Sequence, residues 1–250
     1  MERDVPLTFV IAEAGTGHFS RTHRWRYDKA WRLVAAASET GVDAVKFQAF
    51  FDEPLFCPYE GDDARWERWK QTFLTEEEWL SLHKEAKDMG VDLILSVFSL
   101  RGIELLKEMK PRYVKVASRA AMTFPYNELE GPFLVSCGLN DARSASDHII
   151  PAPWDRSKSS TLQCRMKYPT PLEDSGWGGY HKYHGLSDHS GTVWPGMDAI
   201  CRGAKFLEVH FTIPGTDPGN DAPVCLSVDQ LKLLCGMRDA VATMRGSRGG

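Results

Sequence analysis

Short apolar runs alternate with amphipathic stretches along almost all of the 250 residues, and this alternation limits the fold more than any other feature of the chain. Strands that are each followed by a crossover helix lie parallel in one sheet, and a parallel sheet is covered on both faces, so its strands read as continuous apolar runs. Residues 8–13 (TFVIAE), 44–48 (AVKFQ), 92–98, 113–117, 132–136, 160–164, 183–186 and 205–210 read as eight such strands. The spacing between them predicts helices over 28–40, 76–89, 102–109, 142–149 and 193–203, a short helical piece near Tyr126, and a closing helix over 228–244. Thr75 before three glutamates is a cap signal, and Gly41 and Gly90 are stop signals. The stretch 175–180 is too rich in Gly and aromatic residues for a helix. These elements predict the α/β class and a single (β/α)8 TIM barrel over residues 1–245, with a flexible tail at 246–250.

The hydrophobic content of 42% is ample for one large core, and no linker or repeat divides the chain. The net charge is −4, and Lys and Arg are scattered rather than striped along one face, so no nucleic-acid partner is expected. No apolar run approaches the roughly 18 residues of a membrane span, and no basic and apolar leader opens the sequence. Six cysteines without C-x-x-C spacing fit reduced thiols and a cytoplasmic setting.

Chemistry-bearing residues gather where the strands end. Glu13, Lys46, Gln48, Ser96, Lys115, Ser118, Ser136, Tyr168, His189 and His210 all lie at or just past carboxyl ends, the rim on which such barrels place their sites. His189, in GLSDHS, and His210, in EVHFT, end consecutive strands with one helix between them, so both imidazoles point into one mouth. Neutral imidazole is the commonest protein ligand for a divalent metal, and the pair predicts a metal site; taken singly, each histidine also reads as a hydrogen-bonded structural residue. Lys46 and Lys115 sit inside otherwise apolar strands. A buried ammonium without a partner is costly, so an anion between the two is expected.

With these residues collected, the chain resembles the sialic acid synthase family, the phosphoenolpyruvate-dependent synthases of N-acetylneuraminate, legionaminate and pseudaminate. The matching blocks are IAEAGTGH at 11–18, GVDAVKFQ at 41–48, YVKVAS at 113–118, VSCGLN at 135–140, YPTPLED at 168–174, GLSDHS at 185–190, and EVHFT with DPGNDAPVCLS within 208–227. They follow the family order over nearly the whole chain.

The resemblance implies that His189 and His210 bind Mn²⁺ or Mg²⁺, and that Lys46, Ser96, Lys115, Ser118, Ser136 and Ser187 cradle phosphoenolpyruvate. It further implies that Glu13 takes a proton from the attacking water, and that Gln48, Tyr168 and Asp221 orient an aldehyde acceptor. The implied product is a 2-keto-3-deoxy acid, with release of phosphate. A homodimer is compatible with the resemblance.

Three departures bear on the acceptor. Arg119 and Ala120 stand where the family has Gly-Glu, Met166 stands where it has Asn, and Gly17 lacks the Asn that relatives carry before the histidine. The family's antifreeze-like second domain, which contributes an Arg to a partner's sugar site, has no counterpart in these residues. The insertion at 52–70, with Trp66 and Trp69, is a candidate lid, or else a surface loop or a subunit interface. Two other functions stand beside the synthase: an aldolase or lyase with an altered substrate, and a non-catalytic binding descendant. Retention of Glu13, Lys46, Lys115, His189, His210 and Asp221 argues against the last.

Overall fold

The computed structural model describes residues 7–56, 63–138, 156–179 and 183–246. Its eight strands are β1 (Phe9–Gly15), β2 (Ala44–Ala49), β3 (Asp92–Val97), β4 (Val114–Val116), β5 (Phe133–Cys137), β6 (Ser159–Cys164), β7 (Gly185–Asp188) and β8 (Phe206–His210). All pair in parallel, in the hydrogen-bonded series β3-β2-β1-β8-β7-β6-β5-β4. β1 and β8, from opposite ends of the chain, are neighbours in register from Phe9↔Phe206 to Glu13↔His210. β3 and β4, the two ends of the series, lie side by side, so the sheet curls into a nearly closed cylinder. The expected (β/α)8 barrel is the fold observed.

The helices are α1 (His23–Ser38), α2 (Asp63–Lys70), α3 (Glu76–Asp88), α4 (Leu100–Met109), α5 (Leu172–Ser175), α6 (Trp194–Cys201) and α7 (Val228–Met244). The helix expected at 142–149 and residues 247–250 of the tail lie outside the described residues. Thr75 caps α3 as its sequence predicts, accepting from the Glu78 amide while the Glu78 carboxylate accepts from the Thr75 amide. α1 starts earlier than residue 28 because Arg26 pins its first turn: the buried guanidinium donates to the carbonyls of Ser20 and Phe73 and to Gln71. β7 runs later than 183–186. Ser187 and Asp188 look like the exit from a strand, yet both are buried and in register with Glu208 and Val209. Gly185 is forced there, since a Cβ on it would stand 2.2 Å from the Phe206 carbonyl oxygen.

At the foot of the barrel the Arg238 guanidinium donates to Asp43 at 2.7 Å and to the Gly41 carbonyl at 2.9 Å, and Asp43 also accepts from the Val10 amide. These bonds tie α7 to β1 and to the loop before β2. Among the described residues no helix is long and apolar enough to cross a membrane, and none of the five described cysteines is in a disulfide.

The interior is built in tiers. Ile11, Ala44, Ile94, Leu134, Leu162 and Phe206 form an apolar floor inside the cylinder, closed below by edge-on contacts among Phe9, Tyr113 and Phe206. Side chains alternate along a strand, so the next inward position is two residues on. That step gives Glu13, Lys46, Ser96, Ser136, Cys164 and Glu208, to which β4 and β7 add Lys115 and Ser187. One further step brings Gln48, Phe98, Met166 and His210 to the mouth, with His189 just past β7.

Candidate active site

The second tier is charged and almost sealed from solvent. Lys46 Nζ lies 3.1 Å from Glu13 and 3.4 Å from Glu208, and Lys115 Nζ lies 3.6 Å from Glu208; none of the four side chains is more than 5% exposed. Lys115 donates to Ser136 Oγ at 2.7 Å, and Ser187 Oγ donates to Glu208 at 2.7 Å. The anion between the two lysines is thus a carboxylate of the chain itself, Glu208 of EVHFT, which was not among the expected site residues. Its signal was its parity: it stands two residues before His210 and two after Phe206, on the inward face.

Burial raises the carboxyl of Glu208, but Lys115, Lys46 and the Ser187 hydrogen bond outweigh it and hold the group well below the usual carboxylate range. Glu13 has Lys46 alone at ion-pair distance, so burial wins and its carboxyl rises toward neutrality. Burial lowers Lys46, but Glu13 and Glu208 more than offset it; for Lys115 burial prevails over Glu208.

Above this tier the two imidazoles meet, with ring centroids 5.3 Å apart. His189 Nδ1 bonds the Arg165 carbonyl, which can only accept, so Nδ1 carries the proton and Nε2 presents its lone pair to the cavity. Nε2 accepts from the Tyr168 hydroxyl at 3.1 Å, with Ser187 Oγ at 3.4 Å and the Tyr168 ring stacked on the imidazole. Asp221 lies 3.7 Å from His210 Nδ1. Burial holds both histidines down to about 3, helped at His189 by His210 and at His210 by Lys46, so the rings are neutral. Among the described residues no set of three or more His, Cys, Asp or Glu groups is placed to hold an ion. The donor set is two neutral imidazoles, one of them oriented by a backbone carbonyl. That set fits a divalent cation that completes its shell with water and substrate.

The cavity over these tiers has a volume of about 470 Å³. Every expected site residue lines it except Ser96, which is buried in the charged tier with no hydrogen-bond partner for its hydroxyl. Ser118 accepts from the Gly138 amide at 2.9 Å. Met166 lines the wall, whereas Ala120 is buried away from it. Gly17 closes a tight turn onto the Ala14 carbonyl, and a Cβ there would come within 2.9 Å of that oxygen, so the first loop has no room for a side chain.

The insertion at 52–70 does reach the site. α2 places Arg65, Arg68 and Trp69 on the cavity wall. Trp69 stacks on Phe50 at 4.4 Å and Phe50 on Phe98 at 4.7 Å, while Arg68 crosses to Asp217, bonding its carboxylate at 3.1 Å and its carbonyl at 2.6 Å. The two arginines were not among the expected site residues.

The family model for the NeuB family matches residues 33–249. The chain belongs to the NeuB family. Its relatives include the N,N'-diacetyllegionaminic acid synthase of Legionella pneumophila, 29% identical over 96% of this chain and 73% of that protein. The spore coat polysaccharide biosynthesis protein SpsE of Bacillus subtilis is 30% identical over 97% of this chain and 70% of that protein. Among solved structures, the N-acetylneuraminic acid synthetase of Leptospira borgpetersenii, in complex with citrate, superposes with a TM-score of 0.77 at 22% identity, over 98% of this chain and 86% of that one. Within this NeuB family barrel, Glu13, Lys46, Lys115, Glu208, His189 and His210 converge on one cavity.

Proposed function

We propose that the protein condenses phosphoenolpyruvate with an aldehyde, sugar-like acceptor to give a 2-keto-3-deoxy acid and phosphate, with a divalent metal at His189 and His210. The observation that carries this reading is a tier with two buried lysines and a near-neutral Glu13 lying beneath two neutral imidazoles in a NeuB family barrel. Relatives named as legionaminic acid and pseudaminic acid synthases support it.

In this reading Lys46 and Lys115 neutralise the phosphate and carboxylate of phosphoenolpyruvate, and Ser118 and Ser136 donate to them, while Ser187 keeps its proton on Glu208 and lies beside them. Mn²⁺ or Mg²⁺ supplies Lewis acidity to the aldehyde carbonyl. C3 of phosphoenolpyruvate bonds to the aldehyde carbon, whose oxygen takes up a proton. A water oxygen bonds to C2, and the water's proton passes to Glu13, whose raised pKa suits it to exchange protons near neutrality. The C2–O bond to phosphate then breaks, the proton of the C2 hydroxyl leaves with the phosphate, and the 2-keto group remains. Gln48, Tyr168 and Asp221 orient the acceptor above.

The test is phosphate release from phosphoenolpyruvate with Mn²⁺ and a panel of aldoses and simpler aldehydes. Release that requires an acceptor is expected, and His210→Ala should lose both metal uptake and turnover. A fully active His210→Ala protein, or turnover of keto acids alone, would point instead to a different lyase on this barrel.

A further inference from the structure

We infer that Asp217, which stands off the cavity wall, is a positioning residue: through Arg68 it clasps α2 to the loop after β8 and so sets where Asp221 stands beside His210. This rests on the synthase reading, in which Asp221 orients the acceptor, and adds to it a residue that acts at one remove.

The clasp joins three segments that reach the mouth from distant parts of the chain. α2 follows β2 and carries Arg68 on the cavity wall. One amino group of Arg68 donates to the Asp217 carboxylate at 3.1 Å and the other to the Asp217 carbonyl at 2.6 Å, a two-point hold that suits a forked guanidinium. The same guanidinium lies 4.3 Å from the centre of the Phe19 ring, in the loop after β1, and the Asp217 amide donates to the Gly17 carbonyl of that loop at 3.2 Å. Gly219 gives the arginine its room, since a Cβ there would stand 2.5 Å from Arg68 Nε. One side-chain pair thus fastens α2 and the loops after β1 and β8 to one another.

Asp217 passes this geometry on to the site. Its other carboxylate oxygen accepts from the Gly219 amide at 2.9 Å, at the start of the turn Gly219–Val224, and the Asp221 amide donates to the Pro218 carbonyl at 3.3 Å. Asp221 sits on that turn with its carboxylate 3.7 Å from His210 Nδ1. Pro218, Asn220 and Asp221 line the cavity, and Asp217 does not. The groups assigned to phosphoenolpyruvate are placed by other segments: Lys46, Lys115 and Ser136 lie within β2, β4 and β5, and Ser118 just past β4. Loosening the clasp therefore reaches the acceptor side and spares the lysines.

The experiment measures phosphate release by the full chain with phosphoenolpyruvate, Mn²⁺ and, as acceptors, mannose, N-acetylmannosamine and the 6-phosphate of each. Asp217→Ala should raise the KM for the best of these about tenfold, with kcat, the KM for phosphoenolpyruvate and the urea midpoint as in the wild type. Arg68→Gln should raise the acceptor KM at least as much, and adding Asp217→Ala to it should bring no further rise, because both remove the same clasp. An unchanged acceptor KM in Asp217→Ala overturns the inference, as do additive effects in the double variant. An equal rise in the KM for phosphoenolpyruvate, or a fall in the urea midpoint, also overturns it, since Asp217 would then be merely structural. Should no acceptor release phosphate, the synthase reading fails, and amide exchange followed by mass spectrometry decides the clasp by itself. Asp217→Ala should then speed exchange at least about tenfold across both 63–70 and 219–224, and unchanged exchange in either segment overturns the inference.

Discussion

Glu208 lies within 3.6 Å of both buried ammonium groups and accepts a hydrogen bond from Ser187, whereas Glu13 has only Lys46 at such a distance. The two carboxylates therefore divide their work, one fixed as an anion and the other able to exchange a proton. Glu13→Gln keeps the shape and leaves Lys46 paired with Glu208, so it should lower kcat by about 10² to 10⁴ while changing the KM for phosphoenolpyruvate little, as steady-state kinetics will show. His18 makes a separate prediction. Its buried ring donates from Nε2 to the Thr72 carbonyl and packs edge-on against Phe47 and Trp79, and burial lowers its pKa to about 4. The native state then binds fewer protons than the unfolded chain between about 6.5 and 4. Stability from this group is present above the unfolded value and is lost as pH falls through that window, by on the order of 3 kcal/mol. Urea midpoints should fall more steeply with acid in the wild type than in His18→Gln. The sequence showed at this scale that Lys46 and Lys115 needed a counter-charge. It did not show which, because residue 208 is far from both along the chain and meets them only when the sheet closes.

Elements were legible where their apolar pattern was self-contained. α7 keeps its expected bounds, α3 keeps its expected cap, and each of the eight strands appears near its predicted place. Boundaries moved where polarity is buried. Arg26 falls before the helix expected from 28, but its guanidinium meets Ser20, Gln71 and Phe73, and Ser187 and Asp188 fall past the strand expected at 183–186 yet pair within β7. Asp188 is buried and satisfied by the amide and hydroxyl of Ser190, and its carboxyl is pushed up to about 6 by that burial. The passage of β7 against β8 is close enough to test directly. Gly185→Ala would press a methyl into the Phe206 carbonyl, and chemical denaturation should show a loss of about 2 kcal/mol or more. The segment of α2 was readable as an aromatic insertion and a candidate lid, but not as a helix with Arg65 and Arg68 on the cavity wall, because its position follows from Trp69 reaching the Phe50–Phe98 stack.

For the molecule as a whole, the seam between β3 and β4 is the natural place for the cylinder to open. β4 has three residues and ladders with β5, whereas β1 and β8 are paired along both edges. Amide exchange followed by mass spectrometry should be faster across Val114–Val116 than across β1 or β8. Equal protection in all three would mean that the seam is as firmly closed as the rest. The joining of β1 to β8 has another outcome, in the order in which the protein is made. Lys46 has Glu13 beside it from the first strands, but Lys115 leaves the ribosome long before Glu208, its carboxylate partner, and an ammonium has no stable place in an apolar tube without its counter-ion. β4 cannot settle around Lys115 alone, so the cylinder closes only when its final strand arrives, and the charged tier and the pair of imidazoles are completed in one event.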